Sequence, residues 1–379
     1  SRERLYPLEA ATALAAILRQ RGLVAMVADG GEFEGERSPA DPSGMLGYYV
    51  VALFDDGADA PTRYVDPWGG RAAATPDPVR VLRDTEVVAA ALGIQATRSF
   101  SSSGNAQTAL PMIETALRLD SVSPTLRSTH AVILAESGGL PQALQELEAA
   151  LQLRADGPRK LTQVQLILAQ GAAMQAAGQL DGAEEAFAET NRMLTGILEE
   201  WPRYGRAHLT MATMYLGIGE LERARIQLET VESLGVDSPM LSAVWAQYHV
   251  AADEPSAASA RMSRAISLDP ENWQLQAQAA GVFQGIGDTE RARERAEATL
   301  KLVPESRRAQ LRAYFEQIGI FGGGPSAAAA PGDLELPEPT LGAPSGPAEG
   351  AQDPALMLGD PSNLRLREPG QKLELNLDD

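Results

Sequence analysis

GRAHLTMATMYLGIGELERARIQLETVESLGVDS (205–238), PMLSAVWAQYHVAADEPSAASARMSRAISLDPEN (239–272) and WQLQAQAAGVFQGIGDTERARERAEATLKLVPES (273–306) are consecutive blocks of 34 residues, and their reading decides the fold. Superposed on Gly219, Asp253 and Gly287, each block has an alanine five residues later: Ala224, Ala258 and Ala292. Each has a bulkier side chain four residues earlier (Tyr215, His249, Phe283) and an alanine seven earlier (Ala212, Ala246, Ala280). A period of this length, with an amphipathic stretch on each side of a turn residue, describes a helical pair. Such a pair cannot bury its apolar face alone and must stack on its neighbours.

The same marks continue toward the N-terminus at Gly104, Gly138 and Gly178, so that successive spacings are 34, 40, 41, 34 and 34 residues. Alanines follow at 109, 143 and 183, bulky residues precede at Phe100, Leu134 and Met174, and small ones at Thr97, Ala131 and Gly171. Small residues let helices A and B approach closely, the bulky residue fills the space between them, and glycine takes the turn. Pro270 and Pro304, also 34 apart, stop helix B. The pattern resembles the tetratricopeptide repeat, with six units beginning near Ala90, Pro124, Val164, Gly205, Pro239 and Trp273. The second and third units carry six or seven extra residues, and the first has a diffuse SSSGN turn. Departures from the family pattern are Asp253 for the turn glycine, Ala296 for a bulky residue, and no tryptophan at the usual helix A site. Leu311, Phe315 and Ile318, with Arg307, Arg308, Arg312 and Glu316 on other faces, predict a capping helix with one wet side.

Residues 1–88 do not follow this period. LEAATALAAILRQR (8–21) reads as a buried helix stopped by Gly22; LVAMVAD, GYYVVALF and TRYVDP read as strands, followed by a DPWGG turn. With GYYVV followed by YVDPWGG, this segment resembles the core of transglutaminase-like domains, particularly the bacterial kind that precedes tetratricopeptide repeats. That family uses a cysteine at the helix start, a histidine on a later strand and an aspartate on the next. The resemblance places the aspartate on Asp66, the histidine position near Tyr48 and the cysteine position near Pro7 or Leu8. Two of the three groups are absent, so the resemblance implies a catalytically dead domain. The alternative is a transglutaminase-like hydrolase or acyltransferase whose nucleophile comes from a missing upstream segment. Asp66 also reads as an ordinary turn or cap carboxylate.

Composition excludes several classes. Net charge is −19, which repels phosphate backbones and anionic lipid and leaves nucleic-acid binding without its driving term. There is no cysteine, and the three histidines at 130, 208 and 249 are too scattered for a local cluster, so thiol catalysis, a metal site and a cofactor are not expected. The histidines read as packing residues of helix A. No uncharged apolar run approaches a bilayer span, which argues against membrane insertion. The chain starts at Ser1 without methionine, and its compartment is left open: cytoplasmic, or extracytoplasmic if a leader has been removed.

The expected architecture is mainly α: a small α+β domain (1–88), a repeat superhelix with its cap (89–320) and a Pro/Gly/acidic tail (321–379). The tail reads as disordered. Within it, LRLREPGQKLELNL (364–377) alternates leucines about Pro369-Gly370 and reads as a β-hairpin or an added strand, with self-association of the tail one outcome and an acidic solubilising tail the other. The repeat family binds peptides or protein segments on its concave helix A face. Projected there, this sequence supplies Gln165, Leu168, Gln175, Arg206, Leu209, Thr213, Leu216, Met240, Gln247, Val250, Gln274 and Gln284, with Arg98 and Glu136 as further charges. Amides and apolar side chains suit an extended peptide without a strong charge code. The function expected is therefore a protein-binding scaffold and not an enzyme.

Overall fold

The computed structural model describes residues 7–29, 49–55, 57–67, 71–73, 80–103, 105–235 and 237–321. Tyr48, Gly104 and the stretch from 322 onward, with its 364–377 motif, lie outside the described residues. The described chain is mainly helical, with 14 helices and a small antiparallel sheet. It divides into two units between Gln163 and Val164, and each is considered by itself.

The first unit opens with α1 (Pro7–Gln20), closed by Gly22 at φ 82°. Strands β1 (Val24–Asp29), β2 (Tyr49–Phe54) and β3 (Arg63–Asp66) fall where the sequence places them. Two short strands were not foreseen, β4 (Arg71–Ala73) and β5 (Arg80–Val81), and the sheet order is β4-β3-β2-β1-β5. Both are too short for a periodic signal. Beyond β5, the Ala25 carbonyl accepts a 2.6 Å hydrogen bond from Arg19 Nε, which blocks that part of the sheet edge.

Helix α2 (Asp84–Ser103) corrects the expected start of the first repeat near Ala90. Glu86 explains the earlier start: its carboxylate accepts from the Arg83 backbone N–H at 2.6 Å and from the Arg83 guanidinium at 2.8 Å, fixing the first turn. The early turns of α2 pack Ala90 and Ile94 with Leu8, Ala11, Val27 and Val51. Another face of the same helix packs Ala89, Ala96 and Phe100 with Ile113 of α3 (Ala106–Leu119). One helix thus belongs to the sheet core and to the first repeat. The unit continues through α4 (Pro124–Ala135) and α5 (Leu140–Leu153) into the first turns of α6 (Gly157–Ala176).

The second unit takes in the rest of α6 and continues with α7 (Leu180–Glu200), α8 (Gly205–Gly217), α9 (Leu221–Ser233), α10 (Pro239–Ala251), α11 (Pro255–Leu268), α12 (Trp273–Gly285), α13 (Thr289–Leu302) and α14 (Glu305–Gln317). The extra residues of the two long units lengthen α6 and α7 to 20 and 21 residues, against 13 for α8 and α9. About seven residues are two helical turns, so the buried face keeps its register.

Every described turn marker adopts positive φ: Gly138 88°, Gly178 74°, Gly219 79°, Asp253 57° and Gly287 78°. In each turn the following N–H donates to the carbonyl of the bulky residue five back. These bonds are Gly139 to Leu134, Gln179 to Met174, Glu220 to Tyr215, Glu254 to His249 and Asp288 to Phe283, at 2.8–2.9 Å. This is a helix C-terminal motif that requires a left-handed residue at the marker. α14 ends the same way, with Gly319 at φ 81° and Ile320 N–H to Phe315 carbonyl at 2.8 Å. Leu311 and Phe315 are buried on it, as the apolar stripe predicts.

Asp253 is the one non-glycine residue with positive φ among those described. Left-handed backbone costs an L-residue about 1 kcal/mol, so Asp253→Gly should raise the urea midpoint by the equivalent of about 1 kcal/mol. Gly219→Ala should lower it by a similar amount, although an added Cβ there meets no atom within 4 Å.

Candidate functional site

All twelve residues expected on the binding face fall in the second unit, on α6, α8, α10 and α12. α8 packs against α10 and α10 against α12, so these first helices form a layer of their own. Behind it, the marker alanines Ala183, Ala224, Ala258 and Ala292 of the second helices are at most 1% exposed. At Gly171 an added Cβ would come within 3.0 Å of the Ala186 side chain, so the glycine is required by the closeness of α6 and α7.

The twelve are not equivalent. Leu168, Leu209 and Leu216 are buried core residues of the layer. Gln165, Gln175 and Arg206 are half-buried, and so is Thr213, whose hydroxyl donates to the Leu209 carbonyl at 3.0 Å. Val250 is half-buried and packs with the core around Ala246 and Phe283. Met240, at 47%, and Gln274 are exposed. Gln284 donates from Nε2 to the Ile318 carbonyl at 3.3 Å, which fixes its amide against the end of α14. Its Oε1, and Nε2 of Gln247 on α10, are covered polar atoms without a hydrogen-bond partner. Burial in a helix that already satisfies its own backbone leaves only side-chain partners for such atoms, and none stands there.

The histidines are packing residues. His208 is 8% exposed, with Gln227 Oε1 at 2.7 Å and the Pro202 carbonyl at 3.1 Å from its ring nitrogens. His249 stacks on Trp245 with ring centroids 5.4 Å apart and meets Glu254 at 2.6 Å. Burial holds His130 below the ordinary imidazole range despite Glu146 at 3.7 Å. No group of His, Cys, Asp and Glu suited to a metal occurs among the described residues.

In the first unit, Asp66 ends β3 opposite Arg71 of β4, and Leu8, at the position the resemblance gives to the nucleophile, is 3% exposed. Beside the start of α1 lies a cavity of about 570 Å³ lined by Leu8, Glu9, Ala91, Ile94, Gln95, Arg98, Ser99 and Met112. Its lining holds no thiol or imidazole. Arg98 pairs with Glu9 at 2.7 Å, and the Ser99 hydroxyl lies 3.3 Å from that of Thr108.

A charge network that the sequence reading missed joins the sheet to the first two repeats. Arg80 of β5 forks onto Asp120, at the end of α3, with bonds of 2.9 and 2.5 Å. Arg154, at the end of α5, stands 3.6 Å from Asp29 at the end of β1 and bonds Asp156 at 3.0 Å. Arg159 of α6 pairs with Asp156 and donates to the Thr125 hydroxyl of α4 at 2.9 Å. Burial, reinforced by the Asp29 charge, pushes the Tyr49 phenol far above its ordinary range. The partners that link different elements stand 34 or more positions apart along the chain, a separation over which no sequence pattern pairs them.

No known protein-family profile matches the chain, and no curated protein matches it. Among solved structures it is similar to a thermophilic TPR protein of Thermus thermophilus, at 16% identity over 52% of this chain and 98% of that one, TM-score 0.41. It is also similar to PilW, a type IV pilus biogenesis factor (16%, covering 61% and 100%, TM-score 0.40), and to yeast Tom70 (14%, covering 61% and 46%, TM-score 0.40). No residue role is carried over from them.

The Asp120 side chain is only 2% exposed, so Asp120→Ala removes the fork that holds Arg80 and leaves only Glu86 at 3.5 Å, which should cost about 2 kcal/mol in a urea melt. Replacing both, with Arg80→Met and Asp120→Leu, should cost less than the single change, because no uncompensated charge remains.

Proposed function

We propose that this chain is a protein-interaction scaffold whose layer of first helices in residues 164–321 takes a peptide or protein segment in extended form. The observation that carries the reading is the chemistry of that layer. Gln247 offers an amide donor and Gln284 an amide acceptor that find no partner among the described residues, beside the exposed Met240 and Gln274. A peptide backbone presents one acceptor and one donor per residue, the complements of these two atoms. The half-buried Val250 and exposed Met240 offer apolar contacts, and the flexible thioether adapts to different side chains.

On this reading, residues 1–88 form a degenerate transglutaminase-like domain, 89–320 the repeat array and 321–379 a tail. Support for the first part is the order of one helix followed by antiparallel strands, with Asp66 on a strand and Leu8 in the place of a nucleophile. The domain then serves shape and not turnover. No helix among the described residues is long and apolar enough to cross a membrane, and the compartment is not assigned.

The test is selection of displayed random peptides on the immobilised full chain. Wild type should enrich a family of sequences, and Met240→Arg with Gln274→Arg should abolish the enrichment at an unchanged melting temperature, since both positions are exposed. Enrichment that survives the double change would overturn the proposed face.

A further inference from the structure

We infer that residues 364–377 are an internal occupant of this layer, so that the chain carries its own competitor for the proposed site. The inference rests on the reading of the layer as a peptide-binding face and names what regulates it.

The first observation is where the described chain ends. Ile320 is 8% exposed, the Phe321 ring meets Phe315 edge-on at 5.8 Å, and the Arg312 guanidinium lies 5.9 Å over Phe321. Beside them, Gln284 of α12 donates to the Ile318 carbonyl, and a Cβ on Gly319 would lie 3.7 Å from the same amide nitrogen. The chain therefore leaves α14 against a residue of the binding layer, one pair away from Gln247 and Met240.

Reach is the second. From α14 back to α8 is three helix-to-helix steps of about 8–10 Å, or about 27 Å. The 43 residues from 322 to 364 have a contour of up to about 3.3–3.6 Å each, several times that span, so the length of chain suffices to bring 364–377 to the layer of its own molecule.

Charge is the third. Residues 164–321 hold 21 acidic and 14 basic side chains, a net −7. The three bases after 321, Arg365, Arg367 and Lys372, all fall within 364–377, which with Glu368 and Glu374 is net +1. The other 44 residues of the tail carry eight acids and no base. In net charge the unit thus opposes the spacer and not this one segment, although Arg206 is the charge among the twelve layer residues. That segment also has Leu373, Leu375 and Leu377 at a spacing of two, which places them on one side of an extended strand for the apolar contacts of the layer, with its backbone edge toward the amides.

The absence of native cysteine allows a direct measurement on the full chain. Nitroxides at Asn376→Cys and Gln274→Cys, and separately at Asn376→Cys and Met240→Cys, report the tail-to-layer distance by pulsed dipolar spectroscopy. The expected result is a narrow distribution below about 30 Å. Leu373→Ser, Leu375→Ser and Leu377→Ser together should turn it into the broad one of about 40 Å expected for a free 55-residue linker. A broad distribution in the chain with its leucines, or a narrow one indifferent to their loss, overturns the inference. So does a dipolar signal that appears only between singly labelled chains, which would make a second copy the occupant. Peptide enrichment together with broad distances would remove the tail and leave the layer. Narrow, leucine-dependent distances without enrichment would leave the tail in place and remove the external peptide.

Discussion

The closeness of paired helices is the constraint on which the rest depends. Ala109, Ala143, Ala224, Ala258 and Ala292 have no exposed surface, and Ala131, Ala212, Ala246 and Ala280 on the facing helices have none either. A side chain longer than a methyl at these places would separate the helices by more than the core could refill, and overpacking of this kind typically costs 1–3 kcal/mol. Because the approach is set by atoms the size of a methyl group, the geometry repeats from pair to pair with little variation. A turn that reverses the chain in the fewest residues then becomes necessary, and the left-handed markers supply it.

That constraint also bears on the layer of first helices, the proposed binding face. The second helices and the turns absorb the apolar surface of each pair, so the stack is complete without a side-chain partner for Gln247 and Gln284. Leu168, Leu209 and Leu216 hold the layer together from within, leaving Met240 and Gln274 outside. On the proposed reading this face offers amides and one flexible apolar side chain, with Arg206 the charge among the twelve expected residues.

Much of the architecture was legible in the sequence because small residues at fixed spacing have one physical use. The five described markers fall at the turns of helix pairs, and even the departure at Asp253 was found in the same left-handed turn as the glycines. The C-terminal turn of α14 at Gly319 was less visible, since only Phe315 and Gly319 repeat the pattern there. What the sequence did not reveal was of longer range. The fork of Arg80 on Asp120 and the approach of Arg154 to Asp29 depend on how the sheet meets the repeats, and charge carries no period. For the proposed site, position along helix A placed the twelve residues on α6, α8, α10 and α12, but the burial of Leu168, Leu209 and Leu216 follows from tertiary packing, which spacing alone does not resolve.

Whether the first helices are the face that meets a ligand is measured most directly by hydrogen exchange of the full chain, with and without a selected peptide. Added protection should fall on residues 205–217, 239–251 and 273–285, with none on 221–233, 255–268 and 289–302. Protection confined to the second set, or to α1 and the strands, would contradict it.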